Sequence, residues 1–390
     1  MSEAGDPMRR ALDPFKASIA RCQTGSAGPA AALWALSLAG LLLTGLAPAV
    51  SWAQAAATSP QWTQLDRQVR ELFNRGDYDR ALGAAQRALT LAEKLGPDHP
   101  DVATSLNSVA GIHAAQRRYA VAEPLYQRSL AIRQKVYGPA SPNVALELNN
   151  LARLHEVQGQ WPQAAGHYRQ ALQIREQAFG ADSPYVAENL NNLALVLTSQ
   201  RDYAAAAPLY TRALAIFEKS AGPNDLAVAS ILNNQGLLLD VQQQYAQAEP
   251  VYLRALAIRE KALQGAHPDL ATSLNNLAGL YGKQGDYKRA EPLFRRALVM
   301  DEKAWGPQHP VVAEDLANLA GLYVAQTRHA EAEPLLLRAL KIQEQQLGGT
   351  HPAVALSLQD LAAIYRATGR QAQAEAFEQR AARIATGTPR

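Results

Sequence analysis

Seven of the eight histidines fall on a repeating pattern, and histidine is the residue type here best suited to bind a metal or move a proton. His99, His267, His309 and His351 share one 42-residue register, and Ser141, Ser183 and Asp225 fill that register between them. All but Asp225 stand directly before a proline. Serine and aspartate in that place are helix N-caps, so these histidines are expected to be caps or exposed loop residues. His113 and His155 share a register with Tyr281, Tyr323 and Tyr365 and read as core fillers, and His329 takes the place of Tyr287. There is no zinc-type pair on one helix face and no glycine-rich phosphate loop. The only cysteine, Cys22, precedes an apolar run instead of following it. No catalytic constellation, metal or cofactor is expected, and a hydrolase site assembled by folding is the weakest reading carried forward.

Amides are the other recurring polar chemistry. Leu-Asn-Asn-Leu-Ala occurs at 148–152, 190–194 and 274–278, although asparagine is a poor helix former whose short side chain competes for backbone groups. A row of amides offers both a donor and an acceptor to the backbone of a bound chain.

The elements that carry these residues recur with them. Gly96, Gly138, Gly180, Gly222, Gly306 and Gly348 keep the 42-residue period, as do Ala122, Ala164, Ala206, Ala248, Ala290, Ala332 and Ala374. Within a unit, apolar residues at 274, 277, 278, 280 and 281, then at 290, 293, 294, 297 and 298, give two helical stretches, with Gly285 and Asp286 at the turn. Gly306 ends the second helix at a left-handed position, and Pro310 opens the next. A hairpin of this kind leaves one side of its core open and must stack on its neighbours. The expected fold is all-α, a superhelical α-solenoid of about eight hairpins over 61–385. A short linker at 56–60 precedes it and a tail at 386–390 follows.

Residues 1–55 are different in kind. Arg9, Arg10, Lys16 and Arg21 precede an uncharged apolar run over 30–50, followed by small residues around Ala53 and Ala55. This order reads as a secretory signal peptide, with translation starting at Met1 or Met8. The alternative is an uncleaved N-terminal anchor, since about 20 apolar residues can span a bilayer. The chain is accordingly expected to be exported, periplasmic or secreted, or else held at the inner membrane by residues 30–50. A formal charge of +3 with no basic block gives no reason to expect nucleic acid.

The unit over 277–297 resembles the tetratricopeptide repeat: Leu277, Ala278, Tyr281, Gly285, Tyr287, Ala290, Phe294 and Ala297 occupy that motif's signature places. The 42-residue length, the Asn-Asn pair and the Gly-Pro-x-His-Pro linker at 306–310 resemble the kinesin-light-chain type. The resemblance implies a solenoid whose first helices line a concave surface, and a non-enzymatic protein or peptide binder with no small-molecule substrate. A motor-cargo role is not carried over, because no long heptad segment accompanies it.

On a helical wheel centred on Leu277, Asn276 falls at about 260°, beside the buried arc, and Asn275 at about 160°, away from it. Asn276 is therefore read as structural, joining one unit to the preceding one. The row of Asn275, namely Asn107, Asn149, Asn191, Asn233 and Asn275, is read as the peptide-binding ladder of the concave groove, with Arg153, Leu195 and Leu237 beside it. The leading expectation is an adaptor that holds an extended protein segment. The alternative is a cell-envelope scaffold that uses its convex face or its ends.

Overall fold

The computed structural model describes residues 59–386, which form an all-α solenoid of sixteen helices paired as eight hairpins, with no strand among the described residues. The signal or anchor expected over 1–55, most of the 56–60 linker and most of the 386–390 tail lie outside the described residues. Two compact units divide at Ser220 and Ala221. The first holds α1 (Pro60–Asn74), α2 (Tyr78–Glu93), α3 (Pro100–Ala115), α4 (Tyr119–Tyr137), α5 (Pro142–Val157), α6 (Trp161–Phe179), α7 (Pro184–Ser199) and α8 (Tyr203–Ala221). The second holds α9 (Leu226–Val241), α10 (Tyr245–Ala262), α11 (Pro268–Lys283), α12 (Tyr287–Trp305), α13 (Pro310–Ala325), α14 (His329–Leu347), α15 (Pro352–Ala367) and α16 (Gln371–Thr386). Odd-numbered helices are the A helices of their hairpins and even-numbered ones the B helices.

The histidines before proline cap their helices. Nδ1 of His99, His267, His309 and His351 accepts the backbone N–H two residues on at 3.2–3.3 Å, as the Ser141 and Ser183 hydroxyls do at 3.3 Å. An imidazole used this way keeps its proton on Nε2. At the far end of α12, Gly306 takes φ +88° and ψ 155°, so its ψ is extended instead of helical, a combination open almost only to glycine. The A-to-B turn needs positive φ as well, and there Gly159 and Gly285 alternate with Arg117, Arg201, Gln243 and Thr327. Pro124, Pro250, Pro292 and Pro334 lie inside B helices without ending them, because a proline so near the N-terminus removes at most one backbone bond.

Packing within a hairpin follows the apolar rows. In the second unit Leu274, Leu277, Ala278 and Tyr281 meet Ala290, Phe294 and Ala297 in one core. The alanines from Ala122 to Ala374 are fully buried at their common register, letting the two helices approach to about 8 Å. Above them sit Tyr126, Tyr168, Tyr210, Tyr252, Phe294 and Leu336, all buried. Each side chain of this size contributes about 1.5–3 kcal/mol. B helices also pack on the A helix that follows, as α6 on α7 and α12 on α13 do, so no hairpin is closed by itself.

Candidate binding face

An A helix is enclosed on three sides, by its own B helix, by the B helix before it and by its A-helix neighbours; α11, for example, contacts both α9 and α13 directly. Its buried arc is consequently wider than a single hairpin would give. On α11 the arc extends past Ala278 to Ala271 and Gly282, and the open stripe carries Thr272, Asn276 and Lys283 over the small floor of Gly279. The same register is open on α5 at Leu146, Asn150, Arg153 and Val157, and on α7 at Glu188, Asn192, Leu195 and Ser199. In the second unit it is open on α9 at Ser230, Asn234, Leu237 and Val241, and on α13 at Glu314, Asn318, Gly321 and Ala325. These stripes, half-buried except at Glu188, line the A layer in each unit.

The two asparagine rows differ less in exposure than the wheel predicts, since Asn150, Asn192, Asn234, Asn276 and Asn318 are half-buried too. Asn149 and Asn233 are only 7% and 6% exposed, and Asn107, Asn191 and Asn275 are half-buried. This row turns toward the next A helix. Asn149 and Asn189 exchange hydrogen bonds at 2.8 and 3.2 Å, and Asn275 donates to Asp315 at 2.6 Å. On α15, Gln359 of that row is exposed. The row read as structural, that of Asn276, is half-buried on the A-layer stripe and keeps the joining role expected of it. It reaches backward, since Asn150 donates to Asn107 at 2.7 Å. A wheel based on one hairpin could not show the burial of Asn149, because the second A-helix neighbour is remote in sequence.

Arg153, Leu195 and Leu237 do lie on the open stripes. In the first unit, half-buried Glu156, one turn past Arg153, accepts the Tyr168 hydroxyl at 3.1 Å, and Glu188 accepts Arg175 at 2.8 Å. In the second unit Lys283 pairs with buried Asp240 at 2.7 Å. The groups facing solvent are thus mainly amides, small residues and a few aliphatic side chains, with charges already engaged by neighbours.

Beneath the A face runs a row of buried polar couples, each joining a B helix to the next A helix. Arg133 Nε lies 2.7 Å from Glu147, which also accepts the Ser129 hydroxyl at 2.9 Å. Burial pushes the Glu147 carboxyl upward despite Arg133. Arg175 donates to Tyr185 O at 2.8 Å, Arg259 to Ser273 at 2.7 Å, and Ser357 to Gln343 at 2.7 Å. Sequence reasoning passed over this row because its members change type from joint to joint. His167 was also missed. It replaces the leucine of Leu125, Leu209 and Leu293, and its ring stacks on His155 at 5.3 Å between centroids. Among the described residues no group of three or more His, Cys, Asp or Glu side chains could hold a metal ion.

A tetratricopeptide-repeat profile matches residues 72–135, 101–164, 143–219, 222–303 and 306–387. No curated protein matches significantly. Among solved structures, the chain is similar to BtubC (BKLC) from P. vanneervenii, with 27% identity, 62% of this chain and 92% of the other covered, and a TM-score of 0.48. A kinesin light chain of Podosopora anserina with nearly identical TPR-like repeats is 22% identical over 53% of this chain and 97% of its own, with a TM-score of 0.45. A Rap protein complexed with Competence and Sporulation Factor is 15% identical over 84% and 99%, with a TM-score of 0.54, a likeness of fold.

Proposed function

The chain belongs to the tetratricopeptide-repeat family, and from that premise we propose that it is a non-enzymatic interaction module whose A face holds an extended protein or peptide segment. One observation carries the reading. Successive A helices each carry a half-buried amide at one register, Asn150 and Asn192 in one unit and Asn234, Asn276 and Asn318 in the other, beside a small or aliphatic residue. Helices about 8–10 Å apart match about three residues of extended chain, so each amide meets the ligand backbone once per three residues. Such recognition is tolerant of sequence, and the small residues at Gly111 and Gly321 leave room for the backbone to come close.

The B face supports a scaffold less well. Its recurring arginines are already committed, Arg254 to Pro223 O at 3.2 Å and Arg296 to Glu260 at 2.5 Å. Export remains part of the proposal and rests on the composition of residues 1–55 alone. Among the described residues no helix is long and apolar enough to cross a membrane.

Photocrosslinking in cells from position 192 or 276 identifies the captured segment, with position 254 as the B-face control. Replacing Asn234, Asn276 and Asn318 together by alanine is expected to weaken capture roughly tenfold or more, at about 1 kcal/mol per bond lost, with little change in melting temperature. Asn149→Ala should act oppositely, lowering the melting temperature while leaving capture intact. Crosslinks confined to position 254, or undiminished capture by the triple variant, would sink the reading.

A further inference from the structure

One joint in the row of buried couples pairs two acids. Asp301 on α12 and Asp315 on α13 are 3% and 1% exposed and lie within hydrogen-bonding reach of each other. Asn275 donates to Asp315 Oδ1 at 2.6 Å. Asp301 Oδ1 and Asp315 Oδ2 remain buried without a donor. At the equivalent places other joints set Arg133 against Glu147, Arg259 against Ser273 and Gln343 against Ser357, each with a donor built in.

Two carboxylates in contact in a dry site cannot both be ionised, because the repulsion between them is not screened by water. A single proton resolves both empty acceptors at once, as an O–H donated by one acid to the other. We propose that the Asp301–Asp315 couple is a proton-operated joint, which locks α12 to α13 while it holds one proton and loosens as rising pH removes it. The groups that face the couple do not replace the proton. Glu314, on α13, adds negative potential, Asn275 and Trp305 are neutral, and His309, which caps α13 and stacks on Trp305 at 5.0 Å, is held toward its neutral form by burial.

The direction of the pH effect follows from linkage. Burial raises Asp301 to about 6 and, together with the charge of Asp301, raises Asp315 well above the usual carboxylate range. Between the unfolded carboxylate range near pH ~4 and those raised values, the closed joint holds a proton that the opened chain has released. With both acids raised, the closed joint holds up to two such protons below about pH 6 and one above it, so its closing constant falls by more than tenfold per pH unit below about 6, by about tenfold above it, and levels off once the last proton has left.

Hydrogen exchange on the full chain between pH 5 and 8, corrected for intrinsic rates, tests this. Protection of the α13 amides should fall about tenfold per pH unit in the wild type beyond the fall seen in Asp301→Asn, whose amide supplies the missing donor permanently. Asp315→Asn is the second variant, and α5, in the other unit, is the internal reference. Equal slopes in wild type and variants overturn the proposal, and so does a flat wild-type profile whatever the variants do. Restored wild-type protection at pH 8 on adding calcium, absent in both variants, would mean that a cation balances the couple and would overturn it equally.

Discussion

At the scale of single residues, the informative positions are those where one unit breaks a rule its siblings keep. The register of Ala110, Ala152, Ala194, Ala278, Ala320 and Ala362 holds glycine once, at Gly236. A Cβ built there would lie 2.6 Å from Cε1 of the buried Tyr252 ring, so the ring occupies the space a methyl group fills elsewhere. Gly236→Ala is consequently expected to destabilise by about 1–3 kcal/mol despite removing a glycine from a helix, and Tyr252→Phe should not relieve it. Denaturant midpoints of the two variants check this, and a stabilised Gly236→Ala would mean that the ring moves at little cost. The same logic shows what was legible in the sequence. The caps at His99 and His309, the turns and the alanine row could be read because each recurs as a local event within one unit. The burial of Asn149 could not, since it depends on Asn189 in the next helix layer.

At the scale of helices, each joint is fastened at several depths, and the fastenings differ in worth. On the B layer, Arg128–Glu93, Arg212–Glu176, Arg296–Glu260, Arg338–Glu302 and Arg380–Glu344 form ion pairs of 2.5–3.0 Å, all partly solvated. Surface pairs of this kind contribute about 0–1 kcal/mol each and weaken in salt. Near the A-to-B turns, the guanidinium groups of Arg289, Arg328 and Arg370 lie 3.8–4.2 Å over Tyr281, Tyr323 and Tyr365. The Tyr281 and Tyr323 hydroxyls donate to Glu249 and Glu291 at 3.1 Å. Where the ring is replaced by Leu197, the glutamate place 32 residues earlier becomes Ala165. That matched exchange was a readable sign of contact between consecutive hairpins, visible only when pairs are compared and not rows. The buried couple is the strong fastening. Arg133→Met should cost about 3–5 kcal/mol by stranding the Glu147 charge, whereas adding Glu147→Leu should recover much of it. A double-mutant cycle on thermal stability measures the coupling, and additive single effects would remove the couple from this account.

At the scale of the molecule, stability is distributed along each unit as a series of neighbour contacts. Glu378 stands where other B helices carry Tyr252 or Phe294, and it pairs with Arg366 at 2.5 Å. Truncation after residue 351 should leave the remaining helices folded, judged by circular dichroism, while exposing Leu336 and Leu340 and increasing self-association in sedimentation. Loss of all helical signal on truncation would show that the array does not fold by local stacking.

The acid couple has a consequence for how such a chain can change by recombination. Because the repeat length holds at 42 residues from α3 onward, an unequal exchange that removes one period between 260 and 301 leaves every remaining register intact. It also brings Arg259 opposite Asp315, replacing two acids by a cation and an acid. A descendant one copy shorter would keep its architecture and its asparagine stripe, yet lose its response to alkalinity in a single genetic event. Sensitivity to protons is here a property of copy number, inherited at a seam between repeats and not within any one of them.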